Sequence, residues 1–213
     1  MKILISACVY GDDVRWNGSN RRHQHIHNWA AEHGYELVPI CPEHELFSTP
    51  RSTIRLRAVD GEVKAFAGKK EVYSELQEKS KEIASRHTGA VGFIGISRSP
   101  TCGLSTGVKD YGSTIKAPMH QSVDCPTTEI SSMNTEANRK VFLKRVQKYE
   151  KQSAIKKMHD AAVSMGAKTY LDPETRFLVM TSEFLRSRGT CCESGCRHCP
   201  WDGNYESGWP CQI

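Results

Sequence analysis

The chain has 213 residues, of which 38% are hydrophobic and 25% charged, and its formal net charge is +5. This composition is that of a globular protein, so a disordered chain is excluded. The longest apolar runs, at 3–5 and 90–96, are far shorter than the roughly 20 residues that a membrane span needs. We therefore expect no transmembrane segment, and the cytoplasm is the predicted location.

The N-terminal half reads as alternating strands and helices. Apolar stretches at 2–7, 36–40 and 90–96 predict buried strands, and segments 27–33 and 69–87 predict helices. This alternation is typical of an α/β fold, a Rossmann-like parallel sheet flanked by helices.

The C-terminal half is less regular. Segment 117–135 is rich in Pro, Ser and Thr and predicts a linker or long loop, whereas 136–165 predicts a basic helix. A hairpin is expected over 170–181, and Ser182 is expected to cap a short helix that Gly189 ends. The predicted domains are an α/β domain at 1–125, a linker with the basic helix at 126–166, and a Cys-rich metal-binding module at 167–213.

Three of the nine cysteines each follow a predicted strand: Cys8, Cys41 and Cys102. The carboxyl ends of parallel strands meet at one edge of a sheet, so these cysteines can converge there. Converging thiolates in a reducing compartment favour zinc or an iron–sulfur cluster. Glu43, two residues after Cys41, is placed to act as a general acid or base. Three unrelated buried cysteines remain the alternative on spacing alone.

The segments SACVYGDDVRWNG, VPICPE followed by TPR, and SRSPTCG resemble, in this order, motifs of the 2-thiouracil desulfurase family. The resemblance covers about residues 1–112. It implies a [4Fe–4S] cluster on three cysteines, whose fourth iron takes the sulfur of a thiocarbonyl substrate. By motif match the ligands are Cys8, Cys41 and Cys102.

The same resemblance implies roles for other residues of these motifs. Glu43 matches the catalytic acid or base, and Ser99 matches a serine that contacts the substrate. Arg15 and Arg51 match arginines that support the site or bind substrate. Ser97 lies with Ser99 on the loop before Cys102 and is a further candidate for substrate contact. The expected reaction is hydrolytic removal of sulfur from a thiolated pyrimidine, thiouracil or thiouridine, free or within tRNA.

The last part of the chain contains the pattern C-C-x3-C-x2-C, formed by Cys191, Cys192, Cys196 and Cys199. Such short spacings predict a second metal site, and ligand softness leaves zinc and iron–sulfur both open. Residues 170–201 also resemble an uncharacterised Cys-rich module, which informs architecture and not chemistry. Two other functions remain open: a zinc-containing RNA-binding module without catalysis, and a sulfur or electron carrier with two clusters.

Overall fold

The chain divides into two compact units, Met1–Val146 and Gln147–Ile213. The structure is a computed structural model and describes residues 1–109, 111–191 and 194–201. The elements of the first unit are, in chain order, β1 (Lys2–Ser6), α1 (Ala7–Tyr10), α2 (Gln24–Glu32), β2 (Glu36–Ile40), α3 (Pro42–Phe47), β3 (Ile54–Val59), β4 (Glu62–Ala67), β5 (Lys70–Glu71), α4 (Tyr73–Arg86), β6 (Ala90–Gly95), β7 (Thr106–Gly107), β8 (Thr114–Ile115), α5 (Pro118–Ser122), β9 (Thr127–Glu129) and a 3-10 helix (Ile130–Asn134). Helix α6 (Glu136–Ser164) begins in the first unit and ends in the second, where β10 (Thr169–Leu171), β11 (Leu178–Met180) and α7 (Ser182–Ser187) follow.

A parallel sheet in the order β2–β1–β6–β9 lies at the core of the first unit, which confirms the predicted α/β fold. Strand β1 pairs in parallel with β2 on one side and with β6 on the other. All of β6 and the last four residues of β1 are buried, because a parallel sheet is covered on both faces. Parallel pairing brings the carboxyl ends of the four strands to one edge, where the cysteines were expected to meet.

The prediction of a linker over 117–135 is wrong. This segment contains α5 and β9, and β9 pairs in parallel with β6 from Phe93↔Thr127 to Gly95↔Glu129. A three-residue strand is too short to show a period, and the surrounding Pro, Ser and Thr mask it. Pairing with β6, a tertiary contact, decides its conformation.

An antiparallel sheet, β3–β4–β5, is an addition that the sequence analysis did not predict. Its apolar side packs Leu56 and Ala65 against Val72 and Leu76. The opposite side of β3 carries the exposed, charged residues Arg55 and Arg57. This alternation of apolar and charged residues is the pattern of a half-buried strand.

The second unit contains the predicted hairpin, with β10 and β11 antiparallel and Leu171 opposite Leu178. The predicted short helix is present as α7, but the prediction that Ser182 caps it is wrong. Thr181 is the cap, since its hydroxyl accepts a hydrogen bond from the backbone N–H of Phe184, and Ser182 is the first helical residue. The buried apolar cluster of the second unit is small. It consists of Ile155, Ala162 and Tyr170, with Ala167 and Val179 packed against it. Among the described residues, no helix is both long and apolar enough to cross a membrane.

Candidate active site

Three strand ends place three thiols around one cavity. Cys8 lies in α1 directly after β1, Cys41 is the residue before α3 at the end of β2, and Cys102 lies in the loop after β6. All three line a single cavity of about 350 Å³. The structure therefore brings together the three cysteines that the sequence placed 33 and 61 residues apart in the chain.

Burial dominates the acidity of these thiols. It raises the pKa of Cys8 to about 12 and that of Cys41 to about 11, and it raises the pKa of Cys102 well above its usual value. The Cys41 thiol raises the pKa of Cys8 and of Cys102 further, and the Arg15 guanidinium opposes the rise at Cys8. Three thiolates can therefore coexist here only with a cationic group among them.

The donor set fits an iron–sulfur cluster. Three soft sulfur ligands border one partly enclosed cavity, and a cubane cluster takes one thiolate per iron, which leaves the fourth iron open. Over the described ranges, no three His, Cys, Asp or Glu side chains lie close enough to hold a single metal ion.

Both oxygens of the Glu43 carboxylate are held by buried partners. Arg51 donates to Oε2 from Nη2 at 2.8 Å and from Nε at 3.3 Å, and the Thr101 hydroxyl donates to Oε1 at 2.8 Å. The side chains of Arg51 and Glu43 are only 6% and 14% exposed. Arg51 thus faces the carboxylate, which agrees with a supporting role for this arginine.

The two serines of the Cys102 loop also make structural hydrogen bonds. The Ser99 hydroxyl accepts from the backbone N–H groups of Thr101 and Cys102, at 3.2 and 3.0 Å. The Ser97 hydroxyl donates to Ser131 Oγ at 2.7 Å. Both serines line the cavity, and Ser99 shapes the turn that presents Cys102.

Several buried groups that the sequence analysis missed fix the position of Cys102. The ring Nε2 of His120 donates to the Cys102 carbonyl at 2.9 Å, and burial lowers the pKa of His120 to about 4, so the ring is neutral. Gly95 leaves no room for a side chain, because a Cβ there would lie 1.9 Å from the Cys102 oxygen. Glu129, at the end of β9, accepts from the backbone N–H groups of Leu104 and Ser105.

Arginines give the rim of the cavity a positive charge. Arg15, Arg21, Arg51 and Arg98 line it, and Glu43 is the carboxylate among its lining residues. Arg15 donates to Ser19 Oγ at 3.1 Å. Arg98 has a backbone φ of +62°, a left-handed conformation that is uncommon for a residue with a side chain and is frequent at functional sites.

A second depression, here called the cationic groove, shares Ile54, Arg98 and Pro100 with this cavity. Arg55, Arg57 and Lys109 also line it, and no Asp or Glu described in the structure does so. Arg57 stands directly opposite Lys64 on β4 and beside Lys109. Like charges on neighbouring strands destabilise a sheet, so a bound anion would offset their repulsion.

The C-terminal cysteines are only partly described, since Cys192 lies outside the described residues. The Sγ atoms of Cys191 and Cys199 are 3.6 Å apart, and the Cys199 N–H donates to the Cys196 carbonyl in a tight turn. Next to Cys199, His198 is buried and its Nε2 is 2.7 Å from the Tyr170 hydroxyl.

Two family models match separate parts of the chain. The model of a family described as 2-thiouracil desulfurase matches residues 3–137, which is more than half of the chain. The chain belongs to the 2-thiouracil desulfurase family. This confirms the resemblance drawn from the motifs, and with it the expectation of an enzyme of the desulfurase class.

Two further matches concern architecture. A model for a family of unknown function, DUF5522, matches residues 158–205. A solved structure described as the [4Fe-4S]-dependent thiouracil desulfidase TudS is similar, with a TM-score of 0.52 and 16% identity over 67% of this chain and 97% of that one. At this identity the likeness establishes the fold alone.

Proposed function

We propose that this chain removes sulfur from a thiolated pyrimidine by hydrolysis, with a [4Fe–4S] cluster on Cys8, Cys41 and Cys102. The observation that carries the proposal is that one cavity is lined by three cysteines and a carboxylate, Glu43. Family membership favours this enzyme over the alternative of a zinc-containing RNA-binding module without catalysis.

A cluster held by Cys8, Cys41 and Cys102 would supply a Lewis acid for the soft thiocarbonyl sulfur and so polarise the C–S bond. Glu43 takes a proton from the water that attacks the polarised carbon. The C–S bond then breaks, the water oxygen remains as the carbonyl of the product, and the sulfur leaves as hydrogen sulfide with the two water protons. Among the described residues, Glu43 Oε1 accepts one hydrogen bond, from Thr101, so a second lone pair on this oxygen is left for the proton. Arg15, Ser97 and Ser99, which line the same cavity, orient the pyrimidine.

The cationic groove favours a substrate that carries phosphate. Base and phosphate are neighbours in one nucleotide, as the cavity and the groove are neighbours in the protein. Arginine and lysine side chains are the usual donors to phosphate oxygens. In this proposal, thiouridine that carries a phosphate, as a free nucleotide or within tRNA, is thus a better substrate than the free base.

For the C-terminal module we propose a metal site that includes Cys191 and Cys199. Two thiolates bound to one zinc ion at bond lengths of about 2.3 Å lie about 3.8 Å apart in a tetrahedral site. Their separation of 3.6 Å is near this value and far from the roughly 2.05 Å of a disulfide. A unit with so small an apolar core also gains stability from a structural metal.

The decisive experiment measures iron, acid-labile sulfide and zinc per chain after anaerobic reconstitution, together with sulfide release from 2-thiouracil and thiouridine. We expect about four iron, four sulfide and one zinc. The variant Cys102→Ala should lose iron and turnover together but keep zinc, whereas Cys199→Ala should lose only zinc.

The variant Glu43→Gln should keep the cluster and lose turnover by about a hundredfold or more, because general acid–base catalysis contributes that much. A wild-type chain that binds zinc but no iron would contradict the proposed desulfidase activity. About eight iron per chain would instead support a carrier with two clusters.

A further inference from the structure

The hydroxyl of Thr101 reaches a carboxylate 58 positions away in the chain. It donates to Glu43 Oε1 at 2.8 Å, and the Thr101 side chain is fully buried. The backbone of Thr101 is fixed at both ends, since its N–H donates to Ser99 Oγ at 3.2 Å and its carbonyl accepts from the Met119 N–H at 3.0 Å. This hydroxyl therefore has little freedom and one buried charged partner.

Arg51 alone does not define the plane of the carboxylate. Both of its hydrogen bonds to Glu43 end on Oε2, at 2.8 and 3.3 Å. The terminal torsion of a glutamate is broad, so a carboxylate held by one oxygen can still rotate. The bond from Thr101 to the other oxygen removes this rotation and directs the remaining lone pair of Oε1.

The same bond links the loops of two cysteines. Glu43 lies two residues after Cys41 in the first turn of α3, and Thr101 immediately precedes Cys102. The carboxylate orientation is thereby tied to the positions of two thiols that border the cavity. A valine at 101 would fill almost the same volume but could not donate this hydrogen bond to Glu43.

We propose that Thr101 is a positioning residue for Glu43, which it orients toward the reacting carbon through its hydroxyl. The inference rests on the proposed function, in which Glu43 accepts the proton of water. It predicts a specific requirement for a hydroxyl at position 101, in addition to a requirement for volume. Without that hydroxyl the substrate still binds, but the proton acceptor is misaligned.

The test compares Thr101→Val, which keeps the shape, with Thr101→Ser, which keeps the hydroxyl. Thr128→Val is the matched control, because Thr128 is another buried threonine and lies in β9 of the central sheet. Each variant is reconstituted and analysed for iron, sulfide and cluster absorption spectrum, for kcat and KM with 2-thiouracil, and for its resistance to urea.

We expect Thr101→Val to bind a full cluster with an unaltered spectrum and to unfold close to the wild-type urea concentration. Its kcat should fall between about tenfold and a hundredfold, the effect of a misplaced catalytic group, while KM stays within about twofold. Thr101→Ser should restore most of kcat, and Thr128→Val should match the wild type.

Three outcomes would overturn the inference: a normal kcat in Thr101→Val, a loss of cluster in step with the loss of kcat, or no rescue by serine. The parallel variant Glu43→Gln separates this inference from the proposed function. If Glu43→Gln is inactive and Thr101→Val is normal, only the inference fails. If Glu43→Gln itself turns over normally, the proposed function fails.

Discussion

Substitution of Gly95 by alanine tests whether the sheet positions a cluster ligand by direct contact. A Cβ at this position would lie 1.9 Å from the carbonyl oxygen of Cys102 and 2.6 Å from Nε2 of His120. The oxygen belongs to the backbone and has no rotamer with which to move away. The Cys102 loop must therefore shift by about 1 Å or more, beyond the roughly 0.5 Å within which a site must be held.

The cost follows from the same contacts. Overpacking of this kind destabilises a protein by about 1–3 kcal/mol, and loss of the bond from His120 to Cys102 adds about 1 kcal/mol. We expect Gly95→Ala to lower the free energy of unfolding by about 2–4 kcal/mol, measured in urea, and to bind less than half of the wild-type iron.

Two glycines near the same strand provide graded controls. At Gly89 nothing lies within 4 Å of an added Cβ, so Gly89→Ala should be neutral. At Gly92 the nearest atoms, at 3.1 and 3.2 Å, belong to the side chains of Phe142 and Val146, which can adjust, so a small loss of stability with normal iron is expected. Full iron content and wild-type stability in Gly95→Ala would refute the steric argument.

Two other predictions concern the groove and the second unit. The double variant Arg57→Gln, Lys109→Gln should raise KM about tenfold for thiouridine monophosphate, by loss of a charged hydrogen bond, and leave KM for thiouracil unchanged. The pair Lys2→Gln, Lys81→Gln is the charge-matched control, and equal KM changes for both substrates would contradict phosphate binding in the groove. Asp172 is fully buried and accepts hydrogen bonds from two backbone N–H groups. Asp172→Ala should therefore lower the free energy of unfolding, measured in urea, by about 1–3 kcal/mol. An unchanged urea midpoint would contradict a stabilising role for Asp172.

Local pattern was sufficient for much of the site. Cys8 and Cys41 follow apolar strands closely, and the position of a residue just after a parallel strand already places it at the ligand-binding edge. Glu43 was predicted as an acid or base of the site because it lies two residues after Cys41. The hairpin of the second unit was predicted because Asp172-Pro173-Glu174 separates two apolar stretches, a signal contained within 12 residues.

Strand β9 shows where local pattern fails. Its three residues have no period of their own, and only the free edge of β6 makes them a strand. The cationic groove is a related case, since Arg57 of β3 and Lys109, 52 positions later in the chain, are brought side by side by an isolated β-bridge. No window of sequence contains that alignment, although the alternation in IRLRAV is a signal that could have revealed β3.

The sequence by itself determined where the cysteines lie relative to the strands, and it predicted a site of three cysteines at strand ends, Glu43 and the serines of the Cys102 loop. The tertiary structure decided which contacts these side chains make. It directed Arg51 and Thr101 to opposite oxygens of Glu43, and it placed His120 and Gly95 against the Cys102 carbonyl. The reason is physical: strand and helix periods arise from neighbouring residues, whereas hydrogen bonds and steric contacts between distant residues exist only once the chain has packed.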